Sequence, residues 1–198
     1  MTIAGMLKLH GHNLGREVTS TGAVVFDVKE HASPRGMPLA PHTFHGGEAP
    51  EDVALVEENK WWLTGEGAAR DREAMNKWFP EFVEIEGTDS TPPRWFGKLG
   101  DPSSRVDIVI IHNADRSLPR VMPVTAIPLK RHVKGRLRAV PHLFLNGFMC
   151  VASPEDWDSE NDTVANVAAW VAHWLACYRE FCGTGVWPTD GYLNDVAA

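Results

Sequence analysis

No segment of this 198-residue chain approaches the roughly 18 consecutive apolar residues that a membrane-crossing helix needs. The opening stretch MTIAGMLKLHGHNLG also lacks the apolar core of a secretory leader. The sequence therefore predicts no membrane association and a cytoplasmic location. An excess of basic charge is missing too: 19 Lys and Arg stand against 26 Asp and Glu, a formal net charge of −7. That balance excludes a protein that coats nucleic acid, which needs a dominant basic surface to neutralise phosphates. Cysteine is scarce and odd in number. Cys150, Cys177 and Cys182 crowd the last quarter, so a disulfide framework is not expected and the question becomes whether one is a reactive thiol. The pairs His10/His12 and His42/His45 have no Cys-x-x-Cys beside them, and no metal site is expected.

What is present is ordinary globular composition, 43% hydrophobic and 23% charged, enough to build a core without metal or disulfide staples. Eight tryptophans should serve mostly as packing anchors. Residues 1–60, rich in Gly, Pro, Thr and His, read as an N-terminal extension to which the sequence assigns no role. Within it Ala23–Val28 alternates as a strand does, and Ser33–Pro50 reads as loop. Residues 61–198 read as the main domain. EGAARDREAMNKWF, stopped by Pro80, predicts a helix over 66–79. Four extended runs follow (Phe82–Glu86, Arg94–Lys98, Val106–Ile111, Val121–Ile127), separated by turn-forming pieces, the spacing of an antiparallel meander. A long helix over 162–181 shows apolar residues at i, i+3, i+4 and i+7, with an Asn/Asp cap before it and Gly183 after it; it should pack on the sheet. The class is α+β.

Charge is arranged in two arms. Lys130, Arg131, Lys134, Arg136 and Arg138 read either as a solvated loop or as a docking patch for an acidic partner, and Glu155, Asp156, Asp158, Glu160 and Asp162 form an acidic arm. Between them lies Cys150, after an Asn146-Gly147 turn and before a Ser-Pro break. It belongs to neither helix nor long strand. Backbone amides in such a segment can point at a reacting acyl carbon. Residue context alone favours a buried free cysteine at this point. Cys177 and Cys182, on the long helix, read as small core hydrophobes.

The order of these features resembles the ubiquitin-conjugating enzymes, and more closely their bacterial relatives in anti-phage defence operons, of the CBASS-like or ubiquitin-like conjugation type. Trp95, Gly97, Pro119 and Pro123 match that family's strands. His142 to Cys150 (HLFLNGFMC) resembles its His-to-Cys active-site segment, and Trp157 with the helix AAWVAHWLACYREF and GTGVWP resembles its tryptophan-rich tail. The resemblance covers about residues 66–190. It implies a UBC-like fold in which an N-terminal helix, a four-stranded meander, the cysteine segment and a C-terminal helix follow one another. It departs from the eukaryotic pattern in that His142 is followed by Leu143 and Phe144, not Pro-Asn. The interval to the cysteine is also two residues shorter, so the oxyanion-supporting Asn has no matched residue and Asn146 does not inherit its role.

The resemblance implies an acyltransferase in which Cys150 holds an acyl group as a thioester and yields it to a lysine of a target protein. His142 would be a catalytic-loop residue, with Asn146, Asp156 and Asp158 as auxiliary candidates, the two Asp for taking the lysine proton. Arg136 and Arg138 are the partner-binding candidates. No cofactor is implied, since ATP would be used by a partner activating enzyme, and the cargo would be a ubiquitin-like protein or a cGAS-like nucleotidyltransferase. Two other readings stay open: a noncatalytic binding scaffold of the same fold, and a cysteine hydrolase using Cys150 with His142 as base.

Overall fold

A computed structural model describes residues 15–26, 36–44, 60–100 and 104–192. Its elements run β1 (Arg16–Val18), β2 (Val24–Phe26), β3 (Met37–Pro38), β4 (His42–Thr43), α1 (Glu66–Trp78), β5 (Val83–Ile85), β6 (Arg94–Leu99), β7 (Val106–Ile111), β8 (Arg120–Pro123), β9 (Lys130–Val133), β10 (Arg136–Ala139), α2 (Val164–Thr184) and β11 (Gly191–Tyr192). The fold is α+β, with antiparallel sheets throughout.

The meander forms as its alternation predicts, in spatial order β5-β6-β7-β8. Trp95, Ile110 and Val121 lie in one register row and Gly97, Ile108 and Pro123 in the next, all facing inward. Gly97 is required by close approach: a Cβ there would fall 2.4 Å from the Phe82 ring, which covers the strand at that point. Beyond β8 the chain differs from expectation, because the basic arm is a hairpin, β9-β10, with Lys134 and Gly135 both at positive φ in its turn.

Helix α2 sets the architecture. Between Val164 and Leu175 every residue but Asn166 is buried, so the helix is covered on all faces and not along one stripe. The meander strands β6 and β7 cover one side, and β1, β2, β9 and α1 complete the wall. The described part of residues 1–60 thus shares the core of the main domain, with Val18, Met37, Leu39 and Phe44 in the same apolar cluster as the meander and α2. Both ends of α2 differ from the sequence reading. The N-cap is Thr163, in a reciprocal capping box with Asn166, and Asp71 of α1 also accepts from the Val164 amide at 2.8 Å. The helix runs through Gly183 and ends at Gly185, the residue in the left-handed conformation.

Polar groups buried on α2 find partners in the N-terminal strands. The Arg16 guanidinium donates to His173 Nε2 (3.2 Å), and His173 Nδ1 and His42 Nε2 are 3.0 Å apart. His42 Nδ1 lies 2.9 Å from the Ala40 carbonyl. Because Arg16 can only donate, the protons are fixed along the chain: His173 donates through Nδ1 to His42, which donates through Nδ1 to Ala40, and both rings are neutral. Burial accordingly pushes the His42 pKa down to about 4 and His173 well below its ordinary value. His112 is a second buried ring, pushed down to about 3 by burial and edge-on to Trp61 at 5.0 Å. It sits 3.5 Å from Asp71, whose own pKa is raised by burial, so the contact is not an ion pair.

These depressed values fix a sign. The native state binds these protons less tightly than the unfolded chain, so the stability they contribute is complete above pH 6.5 and is lost as pH falls toward 4. At about 1.4 kcal/mol per pKa unit, His42 alone accounts for roughly 3 kcal/mol by that point. Urea midpoints measured from pH 7 to pH 4 should fall steeply, and His112→Phe should flatten the slope; a flat wild-type profile contradicts the neutral-ring assignment.

Candidate functional site

The candidate site is the segment that returns from the β9-β10 hairpin to α2. Leu143 and Met149 pair across it, and Met149 also bridges to Val121 on β8, its amide donating to the Val121 carbonyl at 2.9 Å. The tip is a tight turn in which the Phe144 amide donates to the Phe148 carbonyl and Gly147 to the Phe144 carbonyl, each at 2.9 Å. Gly147 takes φ +87°, which glycine adopts without strain, and Asn146 Oδ1 accepts from the Phe148 amide at 3.2 Å. Asn146 therefore shapes the turn. Leu145 stands at the tip, 90% exposed.

His142 and Cys150 are brought together through the backbone. The Cys150 amide donates to the His142 carbonyl at 3.0 Å, and the Trp174 indole of α2 donates to that same carbonyl, also at 3.0 Å. His142 sits at φ +54°. Its ring lies in an aromatic pocket, 5.4 Å from Phe44 and 5.2 Å from Trp187 between centroids. Cys150 is 3% exposed, and the run Cys150 to Ser153 is buried.

After the cysteine the chain makes one short turn, Pro154–Asp156. Asp156 Oδ2 accepts three hydrogen bonds: from the Thr43 amide (2.6 Å), the Thr43 hydroxyl (2.9 Å) and the Ser153 amide (3.0 Å). Asp158 is exposed and differs. Bonds from the Asn161 side chain and the Glu160 amide hold its carboxyl below the usual range. The loop carrying it is tied down by Arg70 of α1, whose guanidinium donates to the carbonyls of Ser159, Glu160 and Asp162.

The partner-binding candidates separate. Arg138 donates to the Gly185 carbonyl at 3.1 Å and Arg131 to the Tyr178 hydroxyl at 2.7 Å, so both fasten the hairpin to the C-terminal end of α2, where cations are favoured. Val133 packs there too, 3.1 Å from where a Gly185 Cβ would stand. Arg136 is exposed on the hairpin's second strand. The other two cysteines lie on α2, where burial pushes the Cys177 thiol far up and Cys182 occupies the last turn.

Sequence reasoning missed Thr43, Phe44, Trp174 and Trp187 as neighbours of the site. Trp174 carried a usable signal, because a tryptophan on an all-buried helix needs an acceptor for its indole N–H. Of the histidine pairs, His42 is placed in the α2 network; His10, His12 and His45 lie outside the described residues. Among the described residues no cluster of three potential metal ligands occurs, and no helix is long and apolar enough to cross a membrane.

With 3% exposure, Cys150 should react with alkylating reagents at a rate set by local opening. Trp174→Phe removes the indole donor and should cost about 1–3 kcal/mol while speeding Cys150 alkylation severalfold. Mass-resolved labelling checks this. An unchanged rate in Trp174→Phe would mean the indole does not hold the cysteine segment.

A family model described as type II CBASS E2 protein matches residues 71–194, well over half of the chain. No curated protein and no solved structure matches it.

Proposed function

Because this chain belongs to the type II CBASS E2 protein family, we propose that it carries an acyl group as a thioester on Cys150 and passes it to an amine. The family supports a role in CBASS anti-phage defence as an E2-like protein. The order α1, meander, cysteine segment, α2 is read here as a UBC-like arrangement. The observation that carries the proposal is the setting of Cys150. It alone of the three cysteines lies outside a helix, on a hairpin whose backbone is fixed by the shared His142 carbonyl.

The Cys150 thiolate attacks the carbonyl of an acyl group that a partner activating enzyme holds as a thioester. The new carbon–sulfur bond forms on Cys150 as the partner's thiolate leaves. A lysine amine then attacks the same carbon, an isopeptide bond forms, Cys150 departs as thiolate, and the amine gives up its proton. Sulfur suits both halves, being a strong nucleophile and a better leaving group than an alkoxide. ATP is consumed by the activating partner, and this chain needs no cofactor. The cargo is the C-terminus of a ubiquitin-like protein or of a cGAS-like nucleotidyltransferase.

His142 serves through its carbonyl, which fixes the Cys150 backbone. The Cys150 amide is engaged there and is not the oxyanion donor. Asn146 serves by forming the turn that leads into the cysteine. Of the two auxiliary aspartates Asp158 is the exposed one and would attract the incoming ammonium.

Incubation with activating enzyme and cargo should give a thiol-sensitive adduct on a nonreducing gel. It should vanish in Cys150→Ala and become a stable oxyester in Cys150→Ser. An adduct that survives Cys150→Ala would refute the site assignment.

The basic hairpin is read as the docking point for an acidic partner, with the exposed Arg136 as a contact. Arg136→Glu should weaken loading with an unchanged melting temperature. Arg138→Glu should lower the melting temperature itself, because Arg138 fastens the hairpin to α2. Equal loading by wild type and Arg136→Glu would remove the hairpin from the binding surface.

A further inference from the structure

Two consecutive residues of the N-terminal segment touch both flanks of the cysteine. Thr43 gives its amide and hydroxyl to Asp156, six residues after Cys150. Phe44 packs on the ring of His142, eight residues before it. Both lie outside the matched family region, which begins at residue 71. The dipeptide is itself anchored on both sides. His42 and Thr43 of β4 pair with Tyr192 and Gly191 of β11, and the Phe44 amide donates to the Asp190 carbonyl at 2.8 Å. His42, next to Thr43, is bonded into α2 through His173.

We infer that Thr43-Phe44 is a clasp that fixes the two flanks of the Cys150 segment, and that Asp156 is a positioning residue held in that clasp, not the acceptor of the lysine proton. Three donors converge on Asp156 Oδ2 within 3.0 Å. Those bonds commit Oδ2 to the clasp and fix the carboxyl group between β4 and the turn, so that a proton could be taken only at the other oxygen, Oδ1. Two of these bonds link β4 to the turn that ends the buried run Cys150–Ser153, and the third closes the turn on Ser153. Asp156 therefore acts on the thiol through the backbone. Its side chain needs to be an acceptor and need not be a base, so an amide oxygen can replace it.

The inference rests on thioester transfer at Cys150 for its kinetic half and on the folded protein alone for its structural half. The experiment uses the full chain with Asp156→Ala, Asp156→Asn and Thr43→Val. In the absence of any partner, Cys150 alkylation should be faster in Asp156→Ala by about tenfold and in Thr43→Val by less, while Asp156→Asn stays close to wild type. With activating enzyme and cargo, discharge to lysine should fall about 10- to 100-fold in Asp156→Ala, the penalty for a misplaced reacting group. Asp156→Asn should retain most of the rate with an unchanged pH–rate profile. If Asp156→Asn is as slow as Asp156→Ala and its profile loses the acidic limb, Asp156 is the proton acceptor and the inference is overturned. Wild-type labelling and wild-type discharge in Asp156→Ala overturn it equally. Should wild type form no adduct on Cys150 at all, thioester transfer fails, and the labelling series still decides whether the clasp exists.

Discussion

An apolar helix buried on every face is the constraint from which the rest of this structure follows. From Val164 to Leu175 α2 offers almost nothing to solvent, so the four-stranded meander, which covers one side, is not enough. The other side must be walled by something else, and the wall must satisfy the polar atoms the helix carries inward. They sit on three buried residues, Trp170, His173 and Trp174. The Trp170 indole donates to the Ala40 carbonyl, His173 is bonded between Arg16 and His42, and Trp174 donates to the His142 carbonyl. Each unsatisfied buried group would cost about 1–3 kcal/mol. Those atoms therefore fix where the N-terminal strands and the cysteine segment lie.

The candidate site inherits its rigidity from this arrangement. The Cys150 amide is bonded to a carbonyl that α2 also holds. On the far side of the cysteine the chain is held by Asp156 to β4, and β4 is held by His42 to α2. The segment is thus closed in a loop of contacts that begins and ends on one helix. Residues in irregular backbone are positioned well only when rigid elements support them. The acidic loop after the site has its own support, since Arg70 of α1 gathers three of its carbonyls.

Legibility in the sequence followed the range of the interactions. The meander and both helices were readable because alternation and the 3.6-residue repeat are local, and Trp95, Gly97 and the run Val106–Ile111 fall where those patterns put them. The ends of α2 were misread because Thr163 and Gly185 act as caps through geometry that composition does not reveal. The N-terminal strands were mostly hidden, since segments of two or three residues carry no period and their partners lie far along the chain: His42 pairs with Tyr192 and bonds to His173. The basic arm looked like one feature because its residues are adjacent in sequence. As a hairpin, it spends Arg131 and Arg138 on the end of α2 and leaves Arg136 outward.

The all-round burial of α2 from Val164 to Leu175 also bears on what the family match leaves out. The matched region begins at residue 71, within α1, and contains the meander, the cysteine segment and α2. Taken without residues 16–26 and 36–44, that region would leave both ring nitrogens of His173 without their partners Arg16 and His42. It would also leave the Trp170 indole without its acceptor and one flank of the helix without Val18, Leu39 and Phe44. Exposing several large apolar side chains at about 25 cal/mol per Å² is a cost a domain of this size does not absorb. The described part of the segment that the sequence left without a role is therefore structural cover for the helix before it is anything else. Because two of its residues reach the flanks of Cys150, the element that closes the core is the same one that shapes the site.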